Sequence, residues 1–416
     1  MIKTRKLNCG ITLVMEHIPY LKSTSFGIWA KAGAFDENKK TAGISHLIEH
    51  MMFKGTENRS AKEIAKDADR IGSQMNAFTS KEVTCYYIKS LASNIDKSID
   101  LMMDMFFNSV FDKNELDKEK FVIYEEMKMV EDVPEEDIHD IISELVFYGT
   151  PLANPVIGTK TALSGITKNT IKNYIKNEYT KDSVLISVAG KFDEDEIVNL
   201  IDGKFNDFDA KKEKKQFIDT PYSPRFKVKV KDVEQTHICL GTRSIKLGDK
   251  RYYAFAVLNN ILGGSMGARL FQSIREEKGL AYSVYSANSA HVDTGMFYIY
   301  AGVSHDKIRD AINAIKEELL KLKKDGVTTD ELSTAKEQIK GSYIFSQESV
   351  NGRMFANGRN MTLLGKFFSP DEIISNIDKV SMDDIKKVSS IVHNIEDYSA
   401  VLITDKKVDL KKWMQE

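Results

Sequence analysis

The segment around residue 46 contains two histidines four positions apart, with a glutamate immediately before the second. On a helix, residues i, i+3 and i+4 share one face, so His46, Glu49 and His50 converge on one patch. Two imidazoles can bind a metal ion there, with the carboxylate within reach of a metal-bound water. The segment from Thr41 to Phe53 has helical periodicity, and its apolar positions form a stripe: Ile44, Leu47, Ile48, Met51 and Met52. The alternative is three polar residues on a solvated helix face, which these apolar neighbours disfavour.

A catalytic zinc ion usually has three protein ligands and one open position, so a third ligand is expected elsewhere in the chain. The strongest candidates lie in the helical stretch from Asn114 to Glu131, where Glu125 and Glu126 are adjacent. Either carboxylate could also be an ordinary surface glutamate. The residues alone therefore predict a histidine pair and leave the third ligand open.

The order His-x-x-Glu-His is the reverse of the zincin motif and is typical of inverzincins. Together with the downstream glutamates, it makes the chain resemble the pitrilysin/insulinase family of zinc peptidases, most closely its mitochondrial-processing-peptidase branch. The resemblance implies that Glu126 is the third ligand and that Glu119 is a second carboxylate supporting the site, by holding Glu126 or a bridging water. Glu125 is then the exposed neighbour, since adjacent helical residues point about 100° apart.

The resemblance also implies a mechanism and a cofactor, one Zn²⁺ per chain. Zinc held by His46, His50 and Glu126 leaves one position for a water molecule, whose pKa the metal lowers. Glu49 would take the proton of that water and pass it to the leaving amine. The catalytic residues expected from this reasoning are Glu49 and, in a supporting role, Glu119.

A substrate-binding strand is expected from Gly72 to Glu82, after a helix that starts with a capping box. This segment resembles the edge strand to which family members add a peptide through main-chain hydrogen bonds. The resemblance implies that Asn76 bonds the substrate backbone and that Ala77 offers main-chain groups. The alternative is an ordinary turn and strand.

The second half of the sequence contains an arginine and a tyrosine seven positions apart, Arg275 and Tyr282. By the same resemblance, both reach across a chamber to the substrate backbone. The alternative is a salt-bridged helix arginine and a strand tyrosine. One departure from the family lies between Tyr148 and Pro155, where the histidine of a His-Pro-Leu-Gly sequence is missing.

Composition limits the remaining classes of function. With 416 residues the chain exceeds one ordinary core, so two or more domains are expected. Its net charge of −2 gives no basis for binding nucleic acid or an anionic membrane. The cysteines, Cys9, Cys85 and Cys239, are odd in number and far apart, which favours a reducing compartment. No apolar run reaches the 18 residues of a membrane span, so a cytoplasmic protein is predicted.

A polar segment with two prolines divides the chain into halves of nearly equal length. It predicts a catalytic domain at 1–208, a linker at 209–224 and a second domain at 225–416. In each half strands come first, helices follow and a late strand ends the pattern, which indicates an α+β fold. The halves resemble each other at an offset of about 211 to 216 residues, so an internal duplication is expected.

The duplication predicts one active site per chain. Shifting the metal motif by 211 positions reaches Val257, Asn260 and Ile261, which cannot replace it. The family resemblance implies two homologous domains, each a mostly antiparallel sheet with helices packed on one face, which form a clamshell chamber. The second domain would complete that chamber without binding metal.

The leading hypothesis is a zinc-dependent endopeptidase that cleaves unfolded or extended peptides, in a homodimer as the resemblance implies. The alternative is a non-catalytic partner subunit or scaffold of a processing-peptidase-like assembly. A third class, a nucleotide-binding module, depends only on the glycine-rich turn from Leu262 to Leu270, which lacks the Lys-Ser/Thr of a P-loop.

Overall fold

The computed structural model describes residues 2–205, 217 and 219–415. Most of the predicted linker at 209–224 lies outside these residues, and its described residues, 217 and 219–224, form no helix or strand. No helix in the described ranges combines the length and the apolar character needed to cross a membrane.

The first half of the chain contains these strands and helices in order: β1 (Ile2–Lys6), β2 (Thr12–His17), β3 (Ser23–Ala30), α1 (Ile44–Met51), α2 (Ala61–Arg70), β4 (Gln74–Thr79), β5 (Thr84–Leu91), α3 (Ile95–Asn108), α4 (Lys113–Asp132), α5 (Pro134–Val146), α6 (Lys160–Gly165), α7 (Lys168–Glu178), β6 (Val184–Gly190) and α8 (Glu194–Asp202). The second half contains these: β7 (Phe226–Val230), β8 (Thr236–Ser244), α9 (Tyr252–Gly263), a π-helical segment (Phe271–Glu277), β9 (Ala281–Ala290), β10 (Gly295–Val303), α10 (Ile308–Asp325), α11 (Thr329–Ser346), α12 (Val350–Leu364), α13 (Pro370–Asp378), α14 (Met382–Ser389), β11 (Ser399–Thr404) and α15 (Leu410–Gln415).

The described strands form two sheets with the same topology. The first has the order β1-β2-β6-β3-β5-β4, and the second has the order β7-β11-β8-β10-β9. Within each sheet one neighbouring pair is parallel, β2 with β6 and β7 with β11, and the other pairs are antiparallel. If β1 is set aside, each strand of the first sheet has a counterpart in the second. The predicted α+β fold with two mostly antiparallel sheets is confirmed.

The helices repeat in the same way. Helix α4 begins at residue 113 and α11 at 329, while α5 begins at 134 and α12 at 350. Both pairs are separated by 216 residues, which agrees with the offset that the sequence comparison of the halves predicts. The repeated order of strands and helices supports an internal duplication.

The compact units of the structure do not follow the middle of the sequence. The first unit contains residues 2–127, 154–205 and 345–369, and the second contains 128–153, 217, 219–344 and 370–415. Helix α5 therefore belongs to the second unit and α12 to the first. The limits at 1–208 and 225–416 remain a prediction for the two duplicated halves of the sequence. Each compact unit also contains one helix from the other half.

The core of the first unit shows why it needs α12. Along β3, Phe26 and Ile28 pack into a core that also contains residues of α1 and α3. The alternate positions, Gly27 and Trp29, point to the opposite face, as expected for a strand, and contact α12. Helices therefore cover both faces of this sheet. The predicted packing of helices on one face describes α1 and α3, which come from the same half of the sequence as the sheet. The other face is covered by α12, which comes from the second half.

The second unit repeats this arrangement with α5. Ile238 and Leu240 of β8 lie in its main core with residues of α9 and α10. The next residue of the strand, Gly241, points to the opposite face and lies against Ile142 and Val146 of α5. Each sheet is thus buried on both faces, and the second layer comes from a distant part of the sequence.

Candidate metal centre

Helix α1 begins at a site where only glycine fits. Its N-cap residue, Gly43, has φ +90°, and a Cβ there would lie 2.7 Å from the carbonyl oxygen of Ile157. Glu37 closes this end of the helix, since its carboxylate accepts hydrogen bonds from the backbone N–H groups of Gly43 (2.6 Å) and Ser45 (2.9 Å). A carboxylate is favourable at a helix N-terminus because the unpaired N–H groups carry positive partial charge. Burial raises the pKa of Glu37 to about 7, although both backbone bonds lower it.

The two motif histidines lie side by side on α1. Their ring centroids are 4.6 Å apart, and the rings are inclined by 71°. Burial, together with the neighbouring His50, lowers the pKa of His46 to about 4. His46 is therefore neutral near pH 7, and a neutral imidazole has the lone pair that a metal ion requires.

Glu126 of α4 completes a group of three ligand-type side chains. Its Oε2 atom lies 3.6 Å from His50 Nε2 and 3.9 Å from His46 Nε2. Ligand atoms around a tetrahedral zinc ion are roughly 3.4 Å apart, as bond lengths of about 2.0–2.1 Å require. Shifts of a few tenths of an ångström would therefore suffice, and the residues present fit a zinc ion. Within the described part of the chain this is the one group of His, Cys, Asp or Glu with such spacing.

Glu119 lies behind the histidines and is only 4% exposed. His50 Nδ1 donates a hydrogen bond to its Oε2 atom (3.1 Å), and Lys54 Nζ lies 2.7 Å from its Oε1 atom. The family resemblance predicts that Glu119 holds Glu126 or a bridging water, whereas its partners among the described residues are His50 and Lys54. A supporting role for Glu119 remains a prediction, and the metal ligand that it contacts is His50.

Glu49, the expected base, faces β4. Its Oε2 atom accepts a hydrogen bond of 2.5 Å from Thr79 Oγ1. Burial raises the pKa of Glu49, and the charge of Glu126 adds to this, while Thr79 and His50 act in the opposite direction. A carboxylate with a raised pKa is better suited to accept a proton near neutral pH. Thr79 has no motif that could have identified it from the sequence.

Strand β4 is an edge strand of the first sheet among the strands that the structure describes. Asn76 is exposed on it, and its Oδ1 atom accepts a hydrogen bond of 2.8 Å from the backbone N–H of Ala77. Ala77 itself is buried. An edge strand leaves backbone groups on its outer side available to another strand, which is what the substrate-binding prediction requires.

Arg275 and Tyr282 are neighbours in the second unit. The Arg275 guanidinium lies 5.4 Å from the centre of the Tyr282 ring and 4.8 Å from that of Phe271. Tyr282 is 79% exposed, which is unusual for so large a ring. The cation–π contact places the Arg275 guanidinium beside the Tyr282 ring. A role of these two side chains in substrate binding remains a prediction.

The glycine-rich turn from Leu262 to Leu270 gains no support as a phosphate site. Helix α9 precedes it, whereas a P-loop follows a strand. The positions that correspond to the metal motif also lie on α9, where Val257 and Ile261 are buried in the core. The second unit therefore keeps the supporting helix and uses it for packing.

Comparison with known proteins agrees with this geometry. Two family models match the chain: Insulinase (Peptidase family M16) over residues 12–160 and Peptidase M16 inactive domain over residues 165–339. The uncharacterised zinc protease YmxG of Bacillus subtilis is 42% identical over 97% of this chain and 98% of its own length. An uncharacterised zinc protease of Rickettsia felis is 36% identical, covering 95% and 96%.

Solved structures share the fold at lower identity. A protease from Helicobacter pylori has a TM-score of 0.88 and 23% identity, covering 97% of this chain and 99% of its own. The peptidase M16 inactive domain from Pseudomonas fluorescens has a TM-score of 0.91 and 17% identity, covering 98% of each chain. The matched families and the identity to these zinc proteases lead to one conclusion: the chain belongs to the insulinase family of peptidases, family M16.

Proposed function

We propose that this protein is a zinc-dependent endopeptidase that hydrolyses peptide bonds in unfolded or extended peptides. The observation that carries the proposal is the convergence of His46 Nε2, His50 Nε2 and Glu126 Oε2 beside Glu49. Two imidazoles and one carboxylate are a donor set that zinc binds in hydrolases. When bound, zinc would supply a water of lowered pKa and a Lewis acid for the scissile carbonyl.

The residues of the chain supply the proton transfers and the geometry. Glu49 accepts a proton at its carboxylate and returns it to the leaving amine, and its bond to Thr79 keeps one oxygen in place. Glu119 orients the His50 ring through Nδ1. The expected stoichiometry is one zinc ion per chain.

The proposed substrate is an extended peptide added to the outer side of β4. Main-chain pairing along an edge strand gives affinity that depends little on side chains, so broad cleavage is expected. Asn76 and Ala77 would contact the peptide backbone, and Arg275 with Tyr282 would offer further donors. Homodimer formation stays a prediction, for which the mass of the protein in solution is the direct measurement.

The second candidate is a non-catalytic partner subunit. It is favoured only by the description of the second matched model as an inactive domain, over residues 165–339. The ligand group of the first unit argues against it, because a scaffold has no need for the three ligand-type side chains and the base.

A peptide-library digest of the Glu49→Gln variant tests the proposal. The amide keeps the shape of the side chain but cannot take the proton, so zinc should stay bound at about one per chain while cleavage is lost. Glu125→Gln, on the exposed face of α4, is the matched control and should cleave normally. The unmodified protein should also cleave, and a chelator should stop that cleavage. Full turnover by Glu49→Gln, or turnover that resists the chelator, would contradict the mechanism.

A further inference from the structure

We propose that Lys54 is a positioning residue of the metal centre, which sets the orientation of His50 through Glu119. The inference rests on the proposed zinc site and adds a residue to it. Lys54 follows α1 in the sequence, outside the His-x-x-Glu-His motif.

Glu119 is a buried charge that needs a partner. The Glu119 side chain is 6% exposed, and an unpaired carboxylate in that position would be costly. Its two oxygens have different partners: Oε1 lies 2.7 Å from Lys54 Nζ, and Oε2 accepts from His50 Nδ1 at 3.1 Å. Lys54 thus provides the positive charge that balances Glu119, and it also fixes the rotation of the carboxyl group.

The orientation of Glu119 decides what His50 can do. A proton on His50 Nδ1, held by the carboxylate, leaves the lone pair of Nε2 directed toward the side of Glu126. The other histidine has no such support, since Nδ1 of His46 is buried without a hydrogen-bond partner among the described residues. Hydrogen bonding behind the histidines therefore depends on the series Lys54–Glu119–His50.

The backbone around Lys54 is held firmly enough for this role. Gly55 has φ +114°, so the chain turns sharply immediately after the lysine. The next residue, Thr56, donates from Oγ1 to the buried Asp104 (2.7 Å), and Arg59 Nη1 donates to the same carboxylate (2.7 Å). The loop after α1 is anchored to α3 by these bonds, which restricts where the Lys54 side chain can reach.

The test is the zinc dissociation constant, measured by competition with a chromophoric chelator. Lys54→Met should weaken zinc binding by about 10–100-fold, the range found when a partner behind a metal ligand is removed. Lys54→Arg should restore it, because the guanidinium keeps the charge and the donors. Lys62→Met, an exposed lysine of α2, is the matched control and should bind zinc as the unmodified protein does. If Lys54→Met does not fold, Lys54→Gln replaces it and should weaken binding to a smaller extent.

A second background separates positioning from general destabilisation. In Glu119→Gln the neutral amide no longer needs a countercharge, so adding Lys54→Met should change zinc affinity by less than about twofold. Equal loss in both backgrounds, or unchanged zinc affinity in Lys54→Met alone, would overturn the inference. If the unmodified protein binds zinc but cleaves no peptide, the peptidase proposal fails while this inference stands.

Discussion

Gly358 of α12 is the position at which a single methyl group should test the structural role of the exchanged helix. A Cβ atom there would lie 2.1 Å from Nε1 and 2.4 Å from Cε2 of Trp29. Non-bonded contacts of a Cβ atom essentially never fall below 3.0 Å, so in Gly358→Ala either the helix or the indole must move by about 1 Å.

Neither neighbour can move easily. Trp29 is 1% exposed and packs edge-on against Phe78 (5.7 Å) and Phe355 (6.2 Å). Helix α12 is also fastened to the sheet by a buried carboxylate, since Glu16 accepts hydrogen bonds from Arg353 (2.5 Å) and from another residue of the helix, Asn357 (2.8 Å). A shift of the helix therefore disturbs a buried ion pair as well as the aromatic contacts.

Two effects of opposite sign decide the magnitude. Replacing glycine by alanine inside a helix favours folding by about 1 kcal/mol. Overpacking a rigid core costs about 1–3 kcal/mol, and strain on the buried ion pair adds to that cost. We expect the clash to win and the free energy of unfolding to fall by about 1–2 kcal/mol. Gly165→Ala is the matched control, because no atom lies within 4 Å of its Cβ position at the end of α6.

The assay is denaturant unfolding followed by tryptophan fluorescence. The chain has two tryptophans, so Trp413→Phe leaves Trp29 as a reporter of the first unit. The midpoint of the Trp29 transition should fall in Gly358→Ala and stay level or rise slightly in Gly165→Ala. Cleavage should fall too, because Phe355 lies against Phe78 of β4, next to the residue that holds Glu49. A midpoint for Gly358→Ala at or above that of the parent would refute this account.

Further expectations concern the metal, the substrate and the connection of the halves. Glu126→Ala should lower zinc affinity sharply in a chelator competition while Glu125→Ala does not, and the reverse result would move the third ligand. Arg275→Ala combined with Tyr282→Phe should reduce peptide cleavage by about 10²–10³-fold, the effect of losing one oxyanion donor, with zinc content unchanged; normal cleavage would exclude both from substrate binding. A fragment of residues 1–212 lacks α12, so it should expose the Trp29 face of the sheet and aggregate in light scattering. A monomeric, folded fragment would show that α12 is dispensable.

The local sequence pattern by itself predicts the helix that carries the metal motif. His46, Glu49 and His50 lie within one helix, so the 3.6-residue period dictates that they share a face whatever the rest of the chain does. The sequence also predicts the repeated order of strands and helices, because hydrophobic periodicity and the offset between the halves can be read without a structure. The sequence pattern does not decide between Glu125 and Glu126 as the third ligand, because both are glutamates on one helix. Only the family resemblance favours Glu126.

Tertiary structure alone decided the contacts that make these residues a site. Two contacts join residues that are far apart in the sequence: the bond from Thr79 to Glu49 and the pair of Lys54 with Glu119. Neither has a spacing that a local pattern could reveal. The exchange of α5 and α12 is the largest such feature, since a helix's own periodicity says which face is apolar but not which sheet will cover it. That choice depends on the close approach of Gly358 to Trp29 and of Gly241 to α5, which exists only once both sheets have formed.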